Sequence, residues 1–184
     1  MNLPNFITLA RLLMVPLTVW LIISEAYGFA FAVFVAAGIS DGIDGYLARR
    51  LDQRSELGAY LDPLADKALL VSVYVTLGFL KAIPAWLAIL VVTRDILIVG
   101  AIILSWLMHQ PMRMAPLMVS KINTAAQILF AVGVLGVAAL DKPLDLFVSG
   151  GSIAVGLLTA ASGGAYLLTW IRHMTDEPAG DDKP

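Results

Sequence analysis

Six apolar stretches of near-uniform length, separated by short polar connectors, limit what this chain can fold into more than any other feature. They run from Pro4 to Ile23, Ala26 to Leu47, Gly58 to Leu80, Pro84 to Met108, Ser120 to Leu140 and Leu146 to Ile171. A hydrocarbon core of about 30 Å takes about 20 helical residues, so each stretch matches one crossing. The reading is an all-α integral membrane protein with six transmembrane helices. Composition agrees: 59% of the 184 residues are apolar and only 14% charged, with a mean hydropathy of +0.85. That is too apolar for a soluble domain. One six-helix domain over residues 1–174 uses up the length, and the acidic end, 175–184, lacks core-forming side chains and reads as a disordered cytoplasmic tail.

Charge placement sets an expected orientation. With the N-terminus inside, Arg49, Arg50, Arg54, Arg113, Lys121 and Arg172 collect on the cytoplasmic side, while Lys81 and Lys142 fall outside. Both termini are then cytoplasmic by the positive-inside rule. The first stretch reads as a retained span rather than a leader, because no Lys or Arg precedes it and Arg11 lies within it. The absence of cysteine excludes a disulfide framework and a thiolate nucleophile. A net charge of -2 suggests no nucleic-acid partner.

Against this background the segment Ser40 to Lys67 stands out. Asp41 and Asp44 lie three residues apart, with Gly45 and Ala48 continuing the same helical face; Gly58, Asp62 and Asp66 follow at intervals of four. Two such faces meeting would converge four carboxylates. Taken singly, Asp41 is an ordinary helix-end charge and Gly45 or Gly58 an ordinary packing position. Jointly they read as a site, because one Asp at a span's centre costs roughly 2.5 to 3.5 kcal/mol and repulsion adds to it. Arg49 and Lys67 cannot balance four acids. A set of hard oxygen donors without His or Cys points to Mg2+, Mn2+ or Ca2+ rather than Zn2+.

The pattern Asp41-x2-Asp44-Gly45-x2-Ala48-Arg49-x8-Gly58-x3-Asp62-x3-Asp66 resembles the signature of the CDP-alcohol phosphatidyltransferases at all eight defined positions. The opening "LPNFITLAR", the "LDPLADK" run, "TRD" and "SKINT" are similar to that family as well. The resemblance implies a homodimeric membrane enzyme in which an alcohol attacks CDP-diacylglycerol and releases CMP. It implies that Asp41, Asp44, Asp62 and Asp66 hold two divalent cations, Mg2+ or Mn2+, with Asp66 also the catalytic base. It implies that Gly45, Ala48 and Gly58 make room for the CDP group, with Asp44 and Arg49 near its phosphates and ribose. The expected setting is the inner membrane of a bacterium, with the site on the cytoplasmic side.

The motif leaves the acceptor alcohol open. Arg94, inside the fourth stretch, is either one half of an internal pair with Asp95 or a ligand for the acceptor's phosphate. Lys121 is either an interfacial snorkeler or a second such ligand. Members that use glycerol 3-phosphate typically carry Lys-x-Lys-Thr where this chain has Lys121-Ile122-Asn123-Thr124. Loss of one cation, at Asn123, fits a phosphodiester acceptor, and the Ser-Lys-x-Asn-Thr form is similar to the branch that makes cardiolipin from phosphatidylglycerol. Glycerol 3-phosphate remains the alternative. A divalent-cation transporter is a distant one, since the outer halves of the spans carry almost no polar path.

Overall fold

The computed structural model describes the backbone of residues 3–51, 56–107 and 118–175, and the side chains of residues 10–40, 65–101, 103–105, 107 and 118–172. Among the described residues there are six α-helices and no strand: α1 (Leu3–Ile23), α2 (Tyr27–Leu51), α3 (Glu56–Phe79), α4 (Ala85–Leu107), α5 (Met118–Ala139) and α6 (Asp145–Thr175). Each begins and ends within a few residues of an apolar stretch, except that α2 and α6 continue into polar sequence. Among the described residues, three helical segments are long and apolar enough to cross a membrane, Ala85–Ser105, Met118–Ala139 and Asp145–Arg172, and two shorter apolar ones cover Ala10–Ile23 and Tyr27–Ser40. The acidic tail lies, from residue 176 onward, outside the described residues.

Three of the turns share one device. At Glu25, Lys81 and Asp141 the backbone is left-handed, with φ of 58°, 60° and 52°. After α1, the amide of Ala26 donates to the carbonyl of Leu21 at 2.9 Å; after α3, Ala82 donates to Leu77 at 2.9 Å; after α5, Lys142 donates to Val137 at 3.3 Å. Each bond satisfies a carbonyl that the helix end would otherwise leave open. Pro84 and Pro143 then block continuation of the preceding helix.

The helices close into a ring. α1 packs on α3, α3 on α4, α4 on α6, α6 on α5, α5 on α2 and α2 back on α1, while α3 and α5 also touch across the middle. The core runs through that contact, around Val73, Tyr74, Leu77, Leu87, Val91, Val134 and Leu135. Tyr74 ties α3 to α5 by donating its hydroxyl to the carbonyl of Gln127 at 3.0 Å. α5 and α6 interlock reciprocally, because Gly133 on α5 receives the ring of Phe147 and Gly151 on α6 receives the ring of Phe130. The two rings stack, with centroids 5.8 Å apart.

Polarity is distributed inside out relative to a soluble domain. Trp20, Phe29, Phe79 and Leu146 are exposed on the outer face, while Arg11, Arg94, Asp95, Asn123 and Gln127 are buried. Lipid accepts such an exterior, and it requires that interior polar groups find partners within the protein.

Candidate active site

The two groups of motif residues lie on helices. α2 carries Asp41, Asp44, Gly45, Ala48 and Arg49, and α3 carries Gly58, Asp62 and Asp66. The intervals of three and four are therefore helical intervals. The side chains of all these residues except Asp66 lie outside the described residues.

Asp66 is the described member, and its setting is specific. Its Oδ1 accepts a hydrogen bond from Nη1 of Arg11 at 2.8 Å; the Arg11 side chain is 1% exposed and that of Asp66 44%. A buried cation of α1 thus holds the carboxylate, and Asp66 lines a cavity of about 540 Å³. The cavity wall also includes Lys67, Arg94, Asp95, Thr124 and Gln127, and the rest of it is mainly apolar, from residues such as Phe34, Leu70 and Val132. An anchored carboxylate with an open face suits either acceptance of a proton or ligation of a hard cation.

Across the cavity α4 presents Arg94 and Asp95. Arg94 is 5% exposed and donates from Nη1 to Asp95 Oδ1 at 2.6 Å, and from Nη2 to Ser120 Oγ at 2.5 Å and Ser162 Oγ at 2.8 Å. Its guanidinium lies 5.9 Å from the ring centroid of Tyr166. The internal Arg94–Asp95 pair weighed from sequence therefore exists, and the same arginine forms part of the cavity wall. Asp95 Oδ1 takes a second cation, the ammonium of Lys67, at 3.0 Å.

The other two expected acceptor residues sit elsewhere. Lys121 is exposed on α5, beside exposed Ile122. Asn123 is fully buried, and its Oδ1 accepts from Thr159 Oγ1 at 2.9 Å. Thr159 in turn accepts from Gln127 Nε2 at 3.1 Å. Among the described residues the cavity wall includes Thr124 and Gln127 but neither Lys121 nor Asn123.

Several site residues had no assigned role in the sequence reading. Arg11 carried the strongest signal, since an ionisable residue inside an apolar span is costly and wants a partner. Gln127 could have been found as the next member of a polar stripe from Ser120 through Asn123 at helical intervals. The Lys67–Asp95 contact joins residues far apart in sequence, which spacing alone does not reveal.

Comparison with known proteins is decisive about the family. A sequence profile described as CDP-alcohol phosphatidyltransferase matches residues 1–171. The chain belongs to this family. Among similar proteins, the human "Cardiolipin synthase (CMP-forming)" is 31% identical over 181 residues, covering 90% of this chain and 60% of the relative. A fission-yeast (Schizosaccharomyces pombe) "Cardiolipin synthase (CMP-forming) / mitochondrial hydrolase fusion protein" is 34% identical over 189 residues, covering 91% of this chain and 31% of the relative. A rice (Oryza sativa) "CDP-diacylglycerol--glycerol-3-phosphate 3-phosphatidyltransferase 1, chloroplastic" is 34% identical over 153 residues, covering 73% of this chain and 46% of the relative. The chain spans about 60% of the length of the human relative and less of the other two.

Divalent cations belong to the chemistry of the CDP-alcohol phosphatidyltransferase family. The donor set here is compatible with them, because Asp66 turns a half-exposed carboxylate to the cavity and the other three motif acids are also hard oxygen donors. Among the described residues alone, no group of three His, Asp or Glu side chains gathers, and Asp41, Asp44 and Asp62 fall outside that set.

Proposed function

We propose that this protein transfers the phosphatidyl group of CDP-diacylglycerol to an alcohol, with release of CMP, and that the alcohol is phosphatidylglycerol and the product cardiolipin. The observation that carries this reading is Asp66, held by Arg11 and open to a cavity whose far wall carries Arg94. Family membership and the human and fission-yeast relatives support the reaction class; the rice relative supports glycerol 3-phosphate as the second candidate acceptor.

The chemistry follows from the residues. The acceptor hydroxyl oxygen attacks the lipid-bearing β-phosphorus, the bond from that phosphorus to the oxygen bridging it to CMP breaks, and the hydroxyl proton passes to Asp66. Arg11 holds the carboxylate of Asp66, and Asp66 lines the cavity. Asp41, Asp44, Asp62 and Asp66 would hold two divalent cations, Mg2+ or Mn2+, which when bound neutralise the pyrophosphate and stabilise the departing CMP. Gly45, Ala48 and Gly58 would leave room for the CDP group, with Asp44 and Arg49 beside it. Arg94 would face the acceptor's phosphate. Lys121 would be a second such ligand, and a site with one cation fewer, at Asn123, suits a phosphodiester better than a phosphomonoester.

The same reading places six spans in the inner membrane of a bacterium, with both termini and the site on the cytoplasmic side, in a homodimer. That position lets acyl chains stay in lipid while the polar ends enter the cavity. The test is to give purified protein CDP-diacylglycerol and Mn2+ with phosphatidylglycerol and with glycerol 3-phosphate in parallel, and to separate the lipid products. Cardiolipin is expected as the favoured product; phosphatidylglycerophosphate in excess would transfer the assignment to the other acceptor.

A further inference from the structure

Two cationic side chains on the cavity wall share a single carboxylate oxygen of a third residue. Asp95 Oδ1 accepts from Arg94 Nη1 at 2.6 Å and forms an ion pair with Lys67 Nζ at 3.0 Å. The two cations are held very differently. Arg94 is buried, tied also to Ser120 and Ser162, and lies over Tyr166, so its position is fixed by α4, α5 and α6 together. Lys67 projects from α3 with 40% of its side chain exposed, and its ion-pair partner among the described residues is Asp95. An ammonium has three N–H donors, so Lys67 keeps two for a ligand. It also follows Asp66 directly in the chain, and both line the cavity.

We infer that Lys67 grips the phosphate of the acceptor alcohol, and that Asp95 trims the pair of cations to one net positive charge so that the cavity selects a phosphodiester monoanion over a phosphomonoester. This rests on the transferase reading above and names which acceptor chemistry the site fits. Two cations and one carboxylate sum to one positive charge. The Arg11–Asp66 pair adds one charge of each sign, and Lys121 is not among the residues that line the cavity. In a wall that is otherwise mainly apolar, charge mismatch is costly because solvent screens it poorly. A lipid phosphodiester carries one negative charge and cancels the triad. A phosphomonoester near neutral pH carries almost two and leaves one uncompensated.

Lys67 is the member able to move. Swinging from Asp95 toward a phosphate leaves Asp95 still paired with Arg94, so ligand capture strands no buried charge. Arg94 meanwhile keeps its partners and serves as the fixed backstop. The roles differ from those expected of Lys121 and Asn123, which lie outside the wall.

The experiment compares wild type, Lys67→Met, Lys67→Arg and Asp95→Asn in two measurements. Calorimetry with short-chain phosphatidylglycerol and with glycerol 3-phosphate reads acceptor binding without turnover, and steady-state assays read KM for CDP-diacylglycerol and for each acceptor. Lys67→Met is expected to weaken phosphatidylglycerol binding and raise its KM about tenfold, the scale of one charge-assisted contact. KM for CDP-diacylglycerol should change less than twofold, and Lys67→Arg should recover most of the loss. Asp95→Asn, judged only if it elutes as a folded species in detergent, should move the glycerol 3-phosphate to phosphatidylglycerol preference upward by about tenfold. Unchanged acceptor binding in Lys67→Met, or an effect confined to CDP-diacylglycerol, overturns the assignment. Should wild type release no CMP with either alcohol, the transferase reading fails, while calorimetry still decides whether Lys67 binds a phosphodiester.

Discussion

At the scale of single residues, the proposed chemistry rests on Asp66, whose carboxylate Arg11 holds in place. A carboxylate beside an apolar cavity needs a reason to hold one orientation, and the 2.8 Å bond from a fully buried guanidinium supplies it. Asp66→Asn keeps the shape and the hydrogen-bonding edge toward Arg11 but removes the proton acceptor. Turnover is expected to fall at least about 10²-fold, the usual scale for a general base, with CDP-diacylglycerol binding largely kept; wild-type turnover would remove Asp66 as the base. Asp66 was legible because its spacing from Gly58 and Asp62 marked a helical face. Lys67 was passed over because adjacent residues on a helix do not share a face, and its significance lies in Asp95, on another helix. Position 123, expected from the sequence to read the acceptor, is tied into the helix packing. Its amide oxygen is occupied by Thr159, a partner that only the α5–α6 packing reveals.

At the scale of helices, the apolar period located the elements well because the hydrocarbon sets their length, and it missed what joins them. The left-handed turns at Glu25, Lys81 and Asp141 were not visible because glycine, the usual signal for that geometry, is absent at all three. The α5–α6 interlock was hidden for a related reason, since a glycine in an apolar run does not say which ring it will receive. It yields a graded prediction. A Cβ on Gly151 would fall 2.5 Å from the ring of Phe130, which is 5% exposed and locked between Tyr74 and Phe147. A Cβ on Gly133 would meet the tip of Phe147, which is 41% exposed and can swing away. Gly151→Ala should therefore cost about 1–3 kcal/mol, as overpacked cores do, and Gly133→Ala clearly less. Thermal unfolding in detergent checks this, and equal losses would contradict the locked-ring account.

At the scale of the whole molecule, the ring of six helices keeps charge inside and hydrocarbon outside, and the charge it keeps is concentrated on one cavity. Arg11, Asp66, Lys67, Arg94 and Asp95 come from α1, α3 and α4, helices that the ring places side by side. Burying that much charge is unfavourable unless the fold gains from it elsewhere, and the proposed transfer of a phosphatidyl group would give the charge a use. The central claim is that this cavity moves a phosphatidyl group to an alcohol with the help of divalent cations. Its most direct test is CMP release from CDP-diacylglycerol by purified protein, followed with and without phosphatidylglycerol and before and after chelation by EDTA. The account predicts CMP only when both the alcohol and a divalent cation are present, with activity restored by adding Mg2+ or Mn2+ back. CMP formed without any alcohol, or undiminished after chelation, would contradict it.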